Sequence, residues 1–182
     1  RLLNFVNRAL ENINLKKEKR VLESKLFHSY DIIGKGASID KIRNLITKLA
    51  NTESRIFVSG PAGSGKELVA RQIHKQSSRS NKPFVVVNGA LLDPQKYEME
   101  LFGSENTNET VNYGFFEKAK DGTLLIDEIS EIPLETQAKI LRVLIDQKFK
   151  RVGGAQEINV NVRIISTSSK SIREEVDKGN FR

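Results

Sequence analysis

The eight residues Gly60-Pro61-Ala62-Gly63-Ser64-Gly65-Lys66-Glu67 follow directly on the apolar run Ile56-Phe57-Val58, and Val69, Ala70 and Ile73 then recur at helical spacing. A glycine-rich loop is therefore placed where a strand hands over to a helix. Glycines let consecutive backbone N–H groups turn inward around an anion without Cβ clashes, and the helix N-terminus faces the same point. Lys66 can reach the outer phosphates as a point charge, so a nucleoside triphosphate is the first ligand implied. Glu67 stands where the general motif has Ser or Thr to put a hydroxyl on Mg²⁺. A glycine-rich turn with a solvated lysine is the alternative, and it does not account for the strand and helix on either side.

A triphosphate site needs a second half. Gly122-Thr123-Leu124-Leu125-Ile126-Asp127-Glu128 is an apolar run ending in two carboxylates, the pattern of a buried parallel strand delivering acids at its carboxyl end. Asp127 would hold Mg²⁺ through its water shell, and Glu128 would orient or deprotonate the water that attacks the γ-phosphate. Isolated Asp-Glu pairs usually mark solvated turns, but this pair follows three large aliphatics and accompanies a phosphate loop.

Composition sets limits on other chemistries. The 182 residues allow one α/β domain with an appendage. There is no cysteine, which excludes disulfides and thiolate metal sites, and His28 and His74 lack ligand spacing, leaving them ordinary surface or packing roles. No apolar stretch reaches membrane-spanning length and no signal peptide is visible, so the sequence implies a cytoplasmic protein with no membrane partner. Of the +7 formal charge, residues 1–30 carry +4 (seven basic against three acidic residues), which suits a solvated helix better than a nucleic-acid face. In that segment Leu3, Val6, Leu10 and Ile13 recur at three- and four-residue steps, followed by Leu15 and Leu22. This predicts a helix that pairs with a second subunit or docks a preceding domain, or else a linker lying on the surface.

Ile32-Ile33-Gly34-Lys35-Gly36 marks the entry to the nucleotide domain. Strands are predicted at about 55–59, 84–87, 123–127 and 162–166, and helices near 38–50, 66–76, 92–101 and 134–147. The last helix would begin around Pro133 and carry Leu134, Ala138, Leu141, Leu144 and Ile145. Such alternation implies an α/β fold with a parallel sheet and helices on both faces.

Five blocks together resemble the AAA+ central domain of sigma-54-interacting bacterial response regulators, the enhancer-binding proteins. They are the phosphate loop, Pro83-Phe84-Val85-Val86-Val87-Asn88-Gly89-Ala90, Glu100-Leu101-Phe102-Gly103, Gly122 to Ile129, and Val162-Arg163-Ile164-Ile165-Ser166-Thr167. Their order covers about residues 31–182, and within the family the likeness is to the NtrX type of nitrogen-related regulator. The resemblance implies a P-loop NTPase three-layer sandwich over residues 31–182, cut before its lid, with residues 1–30 as a linker helix and the tail of a receiver domain. It also makes Glu67 an expected residue. Asn88 matches the asparagine that restrains the catalytic glutamate, here Glu128. Arg182, after Phe181, matches the start of the segment bearing arginine fingers that reach a neighbouring subunit's site. Ile33 and Gly34 match positions beside the adenine, and Thr167-Ser168 falls where a Thr-Asn pair reads the γ-phosphate.

The partners so implied are a second copy of the chain in a dimer or ring, a sensor histidine kinase acting through the receiver domain, and DNA held by a C-terminal helix-turn-helix domain. One block departs from the family. Where its members carry a Gly-Ala-Phe-Thr-Gly-Ala tip, this chain reads Ser104-Glu105-Asn106-Thr107-Asn108-Glu109-Thr110-Val111-Asn112-Tyr113, shorter and polar, and it is not expected to engage sigma-54. Two functions compete: an ATPase coupled to transcription control, and a nucleotide-responsive oligomerisation module of a DNA-binding regulator with little hydrolysis. The Asp127-Glu128 pair favours the first; the absent loop and Ser168 favour the second. A small-molecule kinase is a third reading, unsupported by any acceptor-pocket motif.

Overall fold

A computed structural model describes residues 31–105 and 111–182. The chain divides into two compact units, Arg1–Lys35 and Gly36–Arg182. The predicted N-terminal helix, its apolar stripe and His28 lie outside the described residues.

The second unit opens with helix α1, Ala37–Ala50. It continues through strand β1 (Ile56–Ser59), helix α2 (Lys66–Lys75) and strand β2 (Phe84–Asn88). Helix α3 is Tyr97–Phe102, strands β3 and β4 are Ser104–Glu105 and Val111–Asn112, and helix α4 is Phe115–Lys118. Strand β5 (Thr123–Asp127) leads through a 3-10 turn, Ile129–Glu131, into helix α5, Leu134–Asp146. Strands β6 (Lys148–Lys150), β7 (Glu157–Asn159) and β8 (Arg163–Ser168) and helix α6 (Ile172–Asp177) complete the order.

Four strands form a parallel sheet in the order β1-β8-β5-β2, with Leu125 opposite both Val86 and Ile165. Side chains alternate along each strand, so the sheet has two buried faces. On one, Leu124, Ile126 and Ile164 join Leu101, Phe102, Phe116, Ile140 and Val143 in the main core. On the other, the Thr123 hydroxyl lies 2.9 Å from His74 Nδ1, which places α2 against β5. Arg163, also buried, donates to the carbonyls of Leu49 at 2.7 Å and Ala50 at 3.4 Å, satisfying the free carbonyl end of α1. This is the expected three-layer α/β architecture.

The structure departs from expectation at two helices. The helix predicted over 92–101 starts only at Tyr97, because Pro94 disfavours helical backbone at Asp93, whose carboxylate instead accepts the Gln95 N–H at 3.0 Å. Of the expected α5 stripe, Leu134, Leu141 and Ile145 are exposed, Ala138 is half-buried and Leu144 packs against the core, and the fully buried face is Thr136, Gln137, Ile140 and Val143. Two polar residues on the inward face, Thr136 and Gln137, break its apolar periodicity. Short hairpins also form, β3 with β4 and β6 with β7.

Candidate nucleotide site

The carboxyl ends of four parallel strands converge. Ser59 leads into the phosphate loop, Asn88 ends β2, Asp127 ends β5 and Ser168 ends β8. In an open α/β sheet this edge is where ligands bind. The Gly60 N–H donates to the Ser168 carbonyl at 3.3 Å, which ties the loop to the sheet. Gly63 and Gly65 lie in the left-handed region (φ 75° and 83°), and Gly65 is the N-cap of α2. That backbone curls the loop so that the first N–H groups of a ten-residue helix remain unused by the helix itself.

Lys66 is buried, and its ammonium donates to the carbonyls of Gly60 at 3.1 Å and Pro61 at 3.3 Å. It also sits 3.3 Å from Glu128 Oε1. The loop lysine and the strand-end glutamate, 62 positions apart by number, thus meet over the same point. Glu67 turns away along the helix to Arg71, with Arg71 Nε 2.8 Å from Oε1, so its carboxylate is engaged there. Pro61, Ala62, Gly63 and Ser64 are exposed, leaving the loop open to solvent.

The two strand-end acids are held separately. Asp127 accepts from Asn88 Nδ2 at 3.0 Å and from the Thr167 hydroxyl at 2.5 Å. Thr167 in turn accepts the Glu128 N–H at 3.1 Å. Each Asp127 oxygen keeps a lone pair after these bonds, so the carboxylate can still accept from metal-bound water. Among the described residues no cluster of three or more His, Cys, Asp or Glu could hold a metal by itself. Mg²⁺ therefore fits here only with phosphate oxygens and water completing its shell, Glu67 offering no hydroxyl.

Glu128 adopts a left-handed backbone (φ 53°), uncommon for a residue with a side chain and typical of functional positions. Its Oε2 accepts both the N–H of Ser169 at 2.7 Å and the Ser169 hydroxyl at 2.8 Å. Partial burial pushes the Glu128 carboxyl up, but the two Ser169 bonds and Lys66 outweigh it and hold the group below its ordinary value. Asn88, expected at Glu128, bonds Asp127 instead, and its Oδ1 accepts the Ala90 N–H at 2.9 Å. Ser169 was not anticipated; a hydroxyl one residue past the expected pair was the available signal. Ser168 is fully buried and bonds Ser130 at 3.0 Å and the Lys170 carbonyl at 3.0 Å, turned into the protein.

Arg182 is exposed, and its N–H donates to Gln137 Oε1 at 3.1 Å. Ile33 and Gly34 belong to the unit Arg1–Lys35, where both are exposed. No helix among the described residues is long and apolar enough to cross a membrane.

The glycine-rich loop, the buried lysine and the paired acids at the end of a parallel sheet define a P-loop nucleotide-binding domain of α/β class. More narrowly, residues 32–182 match the model of the Sigma-54 interaction domain, and the chain belongs to that family. It is 42% identical over 183 residues to the nitrogen assimilation regulatory protein NtrX of Azorhizobium caulinodans, an alignment covering 100% of this chain and 40% of the relative. NtrX from Brucella abortus in complex with ADP superposes with a TM-score of 0.86 at 44% identity, covering 100% of this chain and 41% of that one. Its complex with ATP gives 0.79 at 43% identity, covering 92% and 40%. The P-loop NTPase domain of an Escherichia coli sigma-54 activator shares the fold at 20% identity, with a TM-score of 0.53 over 81% of this chain and 85% of that one. This chain spans about two fifths of the length of the NtrX relatives it matches.

Proposed function

We propose that this chain is the ATP-binding and ATP-hydrolysing module of a response regulator that controls transcription. The observation that carries the reading is the meeting of Lys66 and Glu128 at 3.3 Å above the Gly60–Gly65 loop, beside an Asp127 fixed by Asn88 and Thr167. The solved complexes of Brucella abortus NtrX with ADP and ATP support nucleotide as the ligand.

In this reading the N–H groups of Gly60 to Glu67 cradle the phosphates, and Lys66 exchanges its loop carbonyls for phosphate oxygens. Asp127 would hold Mg²⁺ through its water shell, and the ion would supply charge neutralisation at the outer phosphates. Glu128 orients the attacking water and receives its proton; its depressed pKa keeps it in the base form. Arg182 of an adjoining subunit stabilises the charge that develops on the transferred phosphoryl group. Thr167 keeps the two acids in register. The module works within a longer regulator, as the greater length of its NtrX relatives supports, and further domains supply the kinase and DNA contacts. The polar segment 104–113 replaces the family's loop tip, so contact with sigma-54 is lost.

A second reading, a nucleotide-responsive assembly module with little turnover, is favoured by the double hold of Ser169 on Glu128 and by the inward-facing Ser168. Phosphate release by the full-length protein, its Lys66→Ala variant and its Glu128→Gln variant separates the two. The ATPase reading expects Lys66→Ala to lose ATP binding and Glu128→Gln to bind ATP without turnover. Equal release from wild type and Glu128→Gln removes Glu128 from the mechanism. Binding to sigma-54 polymerase, measured alongside, is expected to be absent, and tight binding overturns the loop argument.

A further inference from the structure

Gln137 is a polar side chain in the first turn of α5, buried to 7% exposure, and it bonds three backbone groups in two segments. Its Nε2 donates to the Ile132 carbonyl at 2.7 Å and to the Asn180 carbonyl at 3.1 Å, and its Oε1 accepts the Arg182 N–H at 3.1 Å. Both ends of the amide are thus used in full view of two different functional stretches. Ile132 closes the turn that leaves the catalytic strand, its N–H bonded to the Ile129 carbonyl at 3.2 Å and the Glu131 N–H bonded to the Glu128 carbonyl at 3.0 Å. Asn180 and Arg182 belong to the stretch that presents the arginine.

Among the described residues that stretch has one other anchor of this kind. Gly179 (φ 75°) turns the chain out of α6, and the Glu175 carbonyl receives the N–H groups of Asn180 at 2.8 Å and Phe181 at 3.2 Å, while Glu175 Oε2 accepts from Asn180 Nδ2 at 3.1 Å. Glu175 fixes the stretch to α6; Gln137 alone among these contacts fixes it to the turn following Glu128. A buried amide that satisfies three backbone groups has little freedom to relax, because any one bond lost leaves a polar atom unpaired.

We propose that Gln137 is a positioning residue that sets the direction in which Arg182 leaves the subunit, and that it links this direction to the turn after Glu128 of the same subunit. The inference rests on the reading of Arg182 as acting on a neighbour's site. It implies that a shift at Glu128 on nucleotide turnover is passed through Ile132 and Gln137 to the arginine offered to the next subunit, a path of directly bonded groups.

Mixed assemblies of the full-length protein test it. Glu128→Gln subunits lack their own base but supply Arg182; Arg182→Ala subunits keep the base but supply no arginine, so turnover in the mixture arises at sites shared between them. Gln137→Ala added to the arginine-supplying subunit is expected to lower mixed turnover roughly tenfold to a hundredfold. The same change added to the base-supplying subunit is expected to leave most of it. If alanine prevents folding, Gln137→Met keeps the volume without the three bonds, and ATP affinity and melting of each subunit confirm that it is folded. Equal losses from both placements, or loss only from the base-supplying subunit, overturn the positioning role. A wild type with no turnover at all sinks the ATPase reading and this inference with it, an outcome distinguishable from the first.

Discussion

The hydroxyl of Thr167 donates to Asp127 Oδ1 at 2.5 Å, and the same oxygen accepts the backbone N–H of Glu128 at 3.1 Å. One atom on β8 therefore fixes both acids that end β5. Thr167 is completely buried, so neither bond has water as a substitute. Thr167→Val, of nearly equal volume, removes both and leaves the Glu128 N–H without its acceptor. The expected cost is about 1–3 kcal/mol in urea unfolding. ATP affinity, set by the loop and Lys66, is expected to change less than turnover, and an unchanged turnover would remove Thr167 from the acid pair's support.

Ser169 supplies two of the bonds that hold Glu128 below its ordinary carboxyl value. A base with a depressed pKa stays deprotonated to lower pH, so the acid limb of kcat/KM, which reports the free protein, is expected to lie below 4.5. Ser169→Ala keeps the backbone bond and loses the hydroxyl, so the limb is expected to move toward higher pH. A profile identical to wild type would mean that Ser169 releases Glu128 before the step that titrates.

The parallel strands and the phosphate loop were legible because glycine, lysine and runs of Val, Ile and Leu are local signals. Their physical demands fall on neighbours in sequence. The site's wiring is different in kind. Asn88 reaches Asp127 rather than Glu128, Ser169 takes the glutamate, and Gln137 ties residues 132, 180 and 182. Each is a polar contact between distant segments, and no periodicity encodes it. In α5 the buried Thr136 and Gln137 disguise the inward face: of the expected stripe Leu134, Leu141 and Ile145 point outward, while Leu144 packs against the core.

His74 gives a test of stability against pH. Burial lowers its pKa to about 4 from 6.5, the cations Arg163 and Arg71 adding to the effect and a backbone bond at Lys82 opposing it. The fold holds the neutral ring, bonded to Thr123 and tilted against Phe84 at 5.0 Å. Above pH 6.5 both folded and unfolded chains are neutral at this group and its contribution is present in full. As pH falls the unfolded chain takes the proton first, and stability is lost until about pH 4, where the folded chain protonates too. The gap corresponds to about 3 kcal/mol. Urea midpoints between pH 7 and 4 are expected to fall in wild type and to fall less steeply in His74→Gln.

Arg151 holds the short β3–β4 pair. Its Nε and Nη2 bond the two oxygens of Glu117 at 2.9 and 2.7 Å, Nη1 reaches Glu105 at 3.3 Å, and the guanidinium lies 5.4 Å from the Tyr113 ring centre. Glu105 is further tied by its N–H to the Val152 carbonyl at 3.0 Å. Arg151 and Glu117 side chains are each only 12% exposed, so this fork is screened far less than a surface pair. Lysine keeps the charge but cannot make the planar double bond to Glu117 while also reaching Glu105. Arg151→Lys is expected to cost about 1–2 kcal/mol, less than breaking a fully buried pair, and to speed hydrogen exchange at the Glu105 amide while leaving the sheet amides of β5 and β8 protected. Uniform acceleration across all of them would mean that the fork supports the whole domain, and no acceleration at Glu105 would mean that the hairpin is held by its backbone pairing alone.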